Sequence, residues 1–197
     1  MINIAVGRAA AALNQMVEGE EIELSVPELC FIDRADVVSR LARDAGEAPT
    51  VAIKQGFSGL ITGNILLIFP ENRSLDLVRQ IIGDVASAEE MTELEQEALV
   101  EVGNILLNAC LGSLANMLGR PIESTLPVFM QGGINMLLSA SGRPSGMERE
   151  DLIMFIHVSF KMAEHKLSGY LACVMDIDSA TAFREAIDSY VYKVVGA

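Results

Sequence analysis

The longest hydrophobic pattern of the chain lies between Glu93 and Leu118. Apolar residues recur there at three- and four-residue spacings, which places one set on a single side of a helix: Leu99, Val102, Leu106, Cys110, Leu114 and Met117. Four residues occupy the opposite side and form what we call the polar stripe: Glu97, Glu101, Asn104 and Asn108. The pattern predicts one long helix that buries its apolar side and exposes the polar stripe.

Shorter patterns before and after this helix predict a mixture of strands and helices. The stretches 51–55 and 155–160 alternate partly between apolar and polar residues, as half-buried strands do. Strands are predicted near 21–26, 49–56, 59–69, 121–126, 151–161 and 167–176. The other helices are predicted near 2–17, 33–44, 73–86, 131–139 and 179–192. Because short turns join the strands, we expect an α+β fold, in which an antiparallel sheet is packed with two long helices and shorter helices.

The chain contains an internal repeat. The dipeptide Asn-Ile occurs at Asn3 and at Asn104, and each time a helical stretch follows it and leads through a predicted strand to a proline, Pro27 or Pro127. The predicted elements follow in the same order in two halves, about 1–90 and 91–197. A chance likeness of two amphipathic helices is the alternative, but the recurring Asn-Ile and proline favour a duplication. We therefore predict a pseudo-two-fold arrangement.

Composition supports a folded chain and limits its partners. Hydrophobic residues make up 51% of the 197 residues and charged residues 21%, so we expect one domain, 1–197, with a packed core. Asp and Glu outnumber Lys and Arg by 27 to 14, and the net charge is −13. Such a surface repels the phosphates of nucleic acids and anionic lipids, so neither is expected as a partner.

The familiar patterns of catalytic and metal-binding residues are missing. The three cysteines lie far apart in apolar stretches and the two histidines are eight residues apart, so neither a disulfide framework nor a metal site is predicted. The chain has no P-loop and no nucleophile-elbow motif. It shows no signal-peptide pattern and no uninterrupted apolar stretch of about 20 residues. We expect a reduced, cytoplasmic protein.

The middle of the long predicted helix holds two residues that disfavour helices. Relative to alanine, Gly103 costs about 1 kcal/mol and Asn104 some tenths. One interpretation is structural: the polar stripe is a solvated surface, and Gly103 lets another element pack closely. The other is functional: the amide of Asn104 serves contact with another molecule.

A spacing favours the functional interpretation. Glu101 precedes Asn104 by three residues, and Pro127 follows Asn104 by 23. Within a duplicated chain, this spacing resembles the signature of the CheC/CheX/FliY family of chemotaxis phosphatases. Glu97 stands at the first position of that signature, where Asp or Ser is usual. The resemblance covers essentially the whole chain, and it implies two long helices related by pseudo-symmetry, each able to carry the Glu/Asn pair.

The resemblance also implies a role for each residue of the polar stripe. Asn104 would hold a water in line with the phosphorus of a phospho-aspartate on a CheY-like response regulator. Glu101 would contact that regulator, pairing with the Lys of its active site, and Glu97 and Asn108 would contact the partner beside them. The chain would need no cofactor or metal of its own, because the Mg²⁺ that neutralises the phosphoryl oxygens belongs to the regulator. The expected activity is hydrolysis of an aspartyl phosphate in two-component signalling.

The first half carries a degenerate second site at most. Asn3 matches Asn104, but Gly7 stands where the second copy has Asn108, and the matching Glu would fall before Met1. Either the first copy is degenerate, or the natural chain starts upstream.

The sequence leaves a second function open. Related chains with this fold act in the flagellar switch or bind a CheD-like deamidase, and a non-catalytic module of this kind would not need an intact Asn104. A plain scaffold with a solvated polar stripe would neither bind nor turn over. A homodimer that pairs exposed sheet edges is also left open.

Overall fold

A computed structural model describes residues 2–15, 22–45, 49–82, 91–139, 152–162, 165–175 and 177–195. The described helices are α1 (Ile2–Asn14), α2 (Arg34–Ala45), α3 (Glu71–Ile82), α4 (Glu93–Leu118), α5 (Ile134–Ser139) and α6 (Ile177–Val195). The described strands are β1 (Ile22–Ile32), β2 (Thr50–Gly59), β3 (Gly63–Pro70), β4 (Ile122–Ser124), β5 (Val128–Gly132), β6 (Leu152–Met162) and β7 (His165–Met175). The end of the predicted helix near 73–86 lies outside the described residues.

The described strands form one antiparallel sheet whose order reflects the repeat. The order is β1-β6-β7-β3-β2-β4. Strand β5 pairs with the same edge of β2 as β4 does, at residues 50–54 of β2. This order is symmetric about the central β3–β7 pair, since β6 matches β2 and β1 matches β4 with β5. Each edge strand pairs with a strand from the other half of the sequence. The predicted α+β fold with a duplicated antiparallel sheet is confirmed.

Helices cover both faces of the sheet. The larger core cluster joins α1, α3, α4 and α6 to one face, with α4 at its centre. A smaller cluster joins α2 and α5 to the other face. Because successive strand residues point to opposite faces, Ile53 of β2 packs in the first cluster and Ala52 in the second. The sheet is thus the middle of three layers.

Both edges of the sheet bulge at the proline that marks the repeat. The register of β1 on β6 shifts by one residue between Ser25 and Glu28, on either side of Pro27. The register of β4 and β5 on β2 shifts by one residue in the same way around Pro127. Proline has no N–H to donate to a ladder, and a bulge on an edge strand accommodates it.

These bulges correct two predictions. The predicted strands near 21–26 and 121–126 end before the prolines, but pairing resumes after each of them. Strand β1 continues to Ile32, and β5 covers residues 128–130, for which no element was predicted, and the first two residues of the helix predicted near 131–139. The helix predicted near 131–139 therefore starts only at Ile134. A bulge lets a strand pass a proline, which the hydrophobic pattern by itself does not reveal.

The ends of α4 are fixed by specific contacts. The hydroxyl of Thr92 accepts from the backbone N–H of Glu95, and the Glu95 carboxylate accepts from that of Thr92 at 2.7 Å. Arg79 of α3 pairs with the same buried carboxylate at 2.7 Å. Burial raises the pKa of Glu95, but the hydrogen bonds from Thr92 and Arg79 outweigh it, so this pKa lies below its ordinary value. At the other end, Gly119 adopts a left-handed conformation with φ 62°.

By length and composition, α4 is the one helix among the described residues that could cross a membrane. Its apolar side instead contacts α1, β2 and β3. This is how a core helix of a globular protein is buried.

Candidate functional site

The structure gives α4 the helical phase that the sequence predicts. Five residues of the apolar side are buried: Leu99, Val102, Leu106, Cys110 and Leu114. On the opposite side, Glu97, Glu101 and Asn108 are exposed and Asn104 is half-buried. The polar stripe therefore lies on the outer surface of the larger helical layer.

Gly103 and Asn104 occupy opposite environments in the middle of α4. A Cβ atom on Gly103 would lie 2.6 Å from Cγ2 of Ile53, so only glycine lets the helix approach β2 this closely. The structural interpretation of Gly103 is thus correct. Asn104 lies on the opposite, polar side of the helix, where it is half-buried.

Hydrogen bonds connect the amide of Asn104 to the sheet. Asn108 Nδ2 donates to Asn104 Oδ1 at 2.7 Å. Gln55 Nε2, from β2, donates to Asn108 Oδ1 at 3.1 Å and to the carbonyl oxygen of Thr125 at 2.9 Å. We call these four residues the amide relay: Asn104, Asn108, Gln55 and Thr125. It spans from the surface of α4 to the backbone between β4 and β5.

Gln55 is the buried member of the amide relay. Its side chain is 2% exposed, and its Oε1 has no hydrogen-bond partner within the described part of the chain. A buried acceptor without a partner costs about 1–3 kcal/mol. Such a group in a folded protein calls for a reason other than stability.

Sequence reasoning did not find Gln55 or Thr125. The available signal was the strand face shared by Ile53, Gln55 and Phe57, where a glutamine stands between two residues of the apolar core. A polar residue in such a position needs a partner. The partner Asn108 is 53 positions away in the sequence, and only the fold brings the two together.

The two carboxylates of the polar stripe are left accessible. Among the residues that the structure describes, neither Glu97 nor Glu101 forms an ion pair or a side-chain hydrogen bond, and both side chains are exposed. They add negative charge to the outer surface of α4. This surface is suited to contact with a cationic group of another molecule.

The bulge at Pro127 borders the amide relay. Pro127 follows Thr125 by two residues, and Thr125 is held at β2 by reciprocal hydrogen bonds with Gly56. These contacts present the Thr125 carbonyl oxygen to Gln55. Leu126, between them, is 85% exposed. Pro127 therefore acts here through backbone geometry rather than through a reactive group.

The counterpart in α1 is only partly described. Asn3 lies at the start of α1, and its side chain falls outside the described part of the structure. Gly7, which stands in place of Asn108, is exposed and has open space around it. No side chain at this position can hold an amide as Asn108 does.

The cysteines do not extend the site. Burial raises the pKa of Cys110 to about 12 and raises the pKa of Cys173 further. Thiols of this kind stay protonated and unreactive near neutral pH. Within the described ranges, no group of three or more His, Cys, Asp or Glu side chains is placed to hold a metal ion.

A groove of about 440 Å³ lies on the other face of β2, and Lys54, Gly56, Asn64 and Thr125, the last a member of the amide relay, line part of it. Residues 54 and 56 point away from α4, whereas Gln55 points towards it. The groove and the polar stripe are therefore separate surfaces.

Sequence comparison relates the chain to two chemotaxis proteins. It is 25% identical over 123 residues to a protein of Halobacterium salinarum named "Putative CheY-P phosphatase CheC1". It is 26% identical over 128 residues to the "CheY-P phosphatase CheC" of Bacillus subtilis. The matches cover 61% and 64% of this chain, and 61% and 60% of those proteins, so the similarity spans about three fifths of the curated relatives. No protein-family model matches the sequence.

The predicted resemblance to the CheC/CheX/FliY family is confirmed. FliY of Thermotoga maritima has the same fold, with a TM-score of 0.71 and 18% identity, over 94% of this chain and 91% of that one. The FliM middle domain of Vibrio alginolyticus has a TM-score of 0.66 and 16% identity, over 94% and 96%. The shared fold thus extends over nearly the whole chain, and the FliM middle domain has it as well.

Proposed function

We propose that this protein is a cytoplasmic phosphatase that removes phosphate from the phospho-aspartate of a CheY-like response regulator. The single observation that carries the proposal is the half-buried amide of Asn104, which Asn108 holds on the outer side of α4. Glu101 stands one helical turn before it, at the spacing of the family signature. The names of the two curated relatives support the same activity.

The proposed reaction requires few catalytic groups from the phosphatase. An aspartyl phosphate is an activated acyl phosphate, and its hydrolysis depends mainly on placing a water in line with phosphorus. Asn104 performs this through its side-chain amide, which needs no shifted pKa. The Mg²⁺ that neutralises the phosphoryl oxygens is held by the regulator, and the phosphatase adds the positioned water.

The carboxylates of Glu101 and Glu97 guide the docking of the regulator onto α4. Glu101 pairs with the lysine in the active site of the regulator, and this contact brings Asn104 to the phosphoryl group. Glu97 and the outer edge of Asn108 contact the regulator on either side. Since the polar stripe is a convex surface, it enters the cleft of the partner and requires no cleft of its own.

A second candidate is a non-catalytic interaction module. The observation that favours it is the fold shared with FliM of H. pylori, which forms complexes with SpeE and with FliG. In this case the same surface binds a regulator or a CheD-like deamidase, and the amide of Asn104 has no part in turnover.

The decisive experiment follows the decay of a phosphorylated CheY-like regulator with wild-type protein and with Asn104→Ala. Asn116→Ala is the matched control, because Asn116 is an exposed asparagine of α4 that lies roughly 18 Å further along the helix. The proposal expects faster decay with wild type and with Asn116→Ala, and little acceleration with Asn104→Ala. Binding of the regulator without faster decay, across the regulators of the source genome, would instead support the interaction module.

A further inference from the structure

We infer that Gln55 is a positioning residue, which acts through Asn108 to set which end of the Asn104 amide faces the partner. The inference rests on the proposed function for its catalytic consequence. Its structural basis is the amide relay. Each hydrogen bond of the relay has a defined donor and a defined acceptor, and the assignment starts from a backbone carbonyl oxygen.

The assignment begins at Thr125. A backbone carbonyl oxygen can only accept hydrogen bonds, so the group of Gln55 that meets it must be Nε2, at 2.9 Å. The same Nε2 faces Asn108 at 3.1 Å. Asn108 must therefore turn its oxygen towards Gln55, since two amide nitrogens cannot hydrogen-bond to each other.

The same reasoning sets the orientation of the Asn104 amide on α4. With its oxygen occupied by Gln55, Asn108 turns Nδ2 towards Asn104, and Asn104 must offer Oδ1, at 2.7 Å. The Nδ2 of Asn104 is left pointing away from Asn108, with no partner among the described residues. The amide orientation of an asparagine, which is normally ambiguous, is thus determined here by a carbonyl oxygen two side chains away.

The resulting orientation suits the proposed reaction. Asn104 presents two N–H donors to the partner, while Oδ1 is partly occupied by Asn108. Donors can hold the oxygen of a water, or a phosphoryl oxygen, beside phosphorus. A flipped amide would present an acceptor to the phosphoryl group, whose oxygens are negatively charged, and would repel it.

The other half of the fold shows that the core does not require a glutamine at this position. Next to the two bulges, Lys54 is opposite Val128 and His157 is opposite Glu28. Lys54 and His157 therefore occupy matching positions in the two halves. Gln55 follows Lys54 and Val158 follows His157, so Val158 is the structural counterpart of Gln55. Val158 is fully buried. The fold therefore accepts an apolar residue here, and the incompletely paired amide of Gln55 occurs in the half of the sheet where another amide, that of Asn108, lies within hydrogen-bond distance.

The first test is the kinetics of Gln55→Met, which keeps the length of the side chain and removes its donors. Since Gln55 is buried, it does not touch the regulator, and KM for the phosphorylated regulator should stay unchanged. The turnover rate, kcat, should fall between about 10-fold and 100-fold, as expected for a misplaced reactive geometry. Gln131→Met is the matched control, since Gln131 donates to Glu71 on the exposed edge of the sheet. An unchanged kcat in folded Gln55→Met overturns the inference.

The second test is the NMR spectrum of the side-chain amides, which does not depend on activity. In wild type, one Nδ2 proton of Asn108 is hydrogen-bonded, so its two protons should have well-separated shifts and different temperature dependences. In Gln55→Met, these shifts should move towards those of a free amide, and the Asn104 signals should move with them. Unchanged Asn104 and Asn108 signals overturn the inference whatever the activity.

The two tests separate failure of the inference from failure of the proposed function. If wild-type protein accelerates the decay of no regulator, the proposed function is wrong, and the NMR comparison still decides whether Gln55 orients the pair. If Gln55→Met does not fold, Gln55→Val takes its place, because the counterpart position holds the buried Val158. The same fall in kcat and the same movement of the Asn104 and Asn108 signals are then expected, and their absence overturns the inference.

Discussion

The two copies of the repeat agree on the buried side of their first helix and differ on the exposed side. Ala9 and Leu13 of α1 recur 101 residues later as Cys110 and Leu114 of α4, and all four are buried. On the exposed side, Gly7 stands in place of Asn108. Packing against the sheet therefore constrains one side of each helix and leaves the other free to diverge.

The difference extends into the sheet. The residue beneath Asn108 is Gln55, whereas its structural counterpart in the other half is the apolar Val158. The second copy thus has a connected set of amides where the first has glycine and valine. Since the same fold forms with either set, the amide relay is not a requirement of the architecture. This contrast supports assigning function to α4 alone.

The largest expected effect concerns the side on which the copies agree. Leu114→Ala and Leu13→Ala each remove a buried side chain at matching positions, and each should lower the free energy of unfolding by about 2–5 kcal/mol. Urea denaturation measures both values, and Leu126→Ala, on an 85% exposed residue, is the control with little change expected. A negligible loss for Leu13→Ala would show that the two helices do not share a core.

The next effect concerns the side on which the copies differ. Asn104→Ala should reduce the acceleration of phosphate loss by about 100-fold, because the positioned water is lost. Asn3→Ala should change it little, because its neighbour at the matching position is Gly7. Equal losses in the two variants would contradict a single working site and would indicate two.

A smaller effect is expected at the N-terminal end of α4, which differs from that of α1. Glu95→Gln removes a carboxylate that accepts hydrogen bonds from Thr92 and Arg79, whereas α1 has no acidic residue in its first turn. Gln can keep the capping hydrogen bond to Thr92 but loses the charge that pairs with Arg79, so at pH 7 the loss in unfolding free energy should be about 1–2 kcal/mol. Because the pKa of Glu95 is lowered in the folded protein, this stabilisation is present above the unfolded pKa and is lost as the pH falls through the folded value.

Thermal unfolding across this pH range checks the sign. The difference between wild type and Glu95→Gln should be full at neutral pH and should shrink as the solution is acidified below the ordinary pKa of 4.5. A difference that grows on acidification would mean that the carboxylate is destabilising in the folded state.

The smallest effect concerns docking. Glu101→Ala should raise KM for the regulator several-fold and leave kcat nearly unchanged, since an exposed charge mainly steers association. The effect should weaken as salt is added. Stopped-flow measurement of the association rate at two ionic strengths tests it, and a fall in kcat equal to that of Asn104→Ala would contradict the separate roles.

The sequence was sufficient for α4, and the reason is the length of its pattern. Its predicted limits coincide with those in the structure, because a 26-residue stripe of apolar positions is a strong signal and Thr92 and Gly119 mark its ends. It was insufficient for β5 and for the end of β1. There, a proline is typical of a break, and only pairing with a neighbouring strand shows that the strand continues.

What the sequence by itself determined is the duplication, the α+β class and the side of α4 on which the polar stripe lies. These depend on periodicity and composition, which are local properties of the chain. What only the tertiary structure decided is the partner of each polar group. Asn108 lies 53 positions after Gln55 in the sequence, and Thr125 lies 70 positions after it. Hydrogen bonds form only at distances near 3 Å. The order of the strands and the bulge at Pro127 bring them that close, and so decide which end of the Asn104 amide faces outwards.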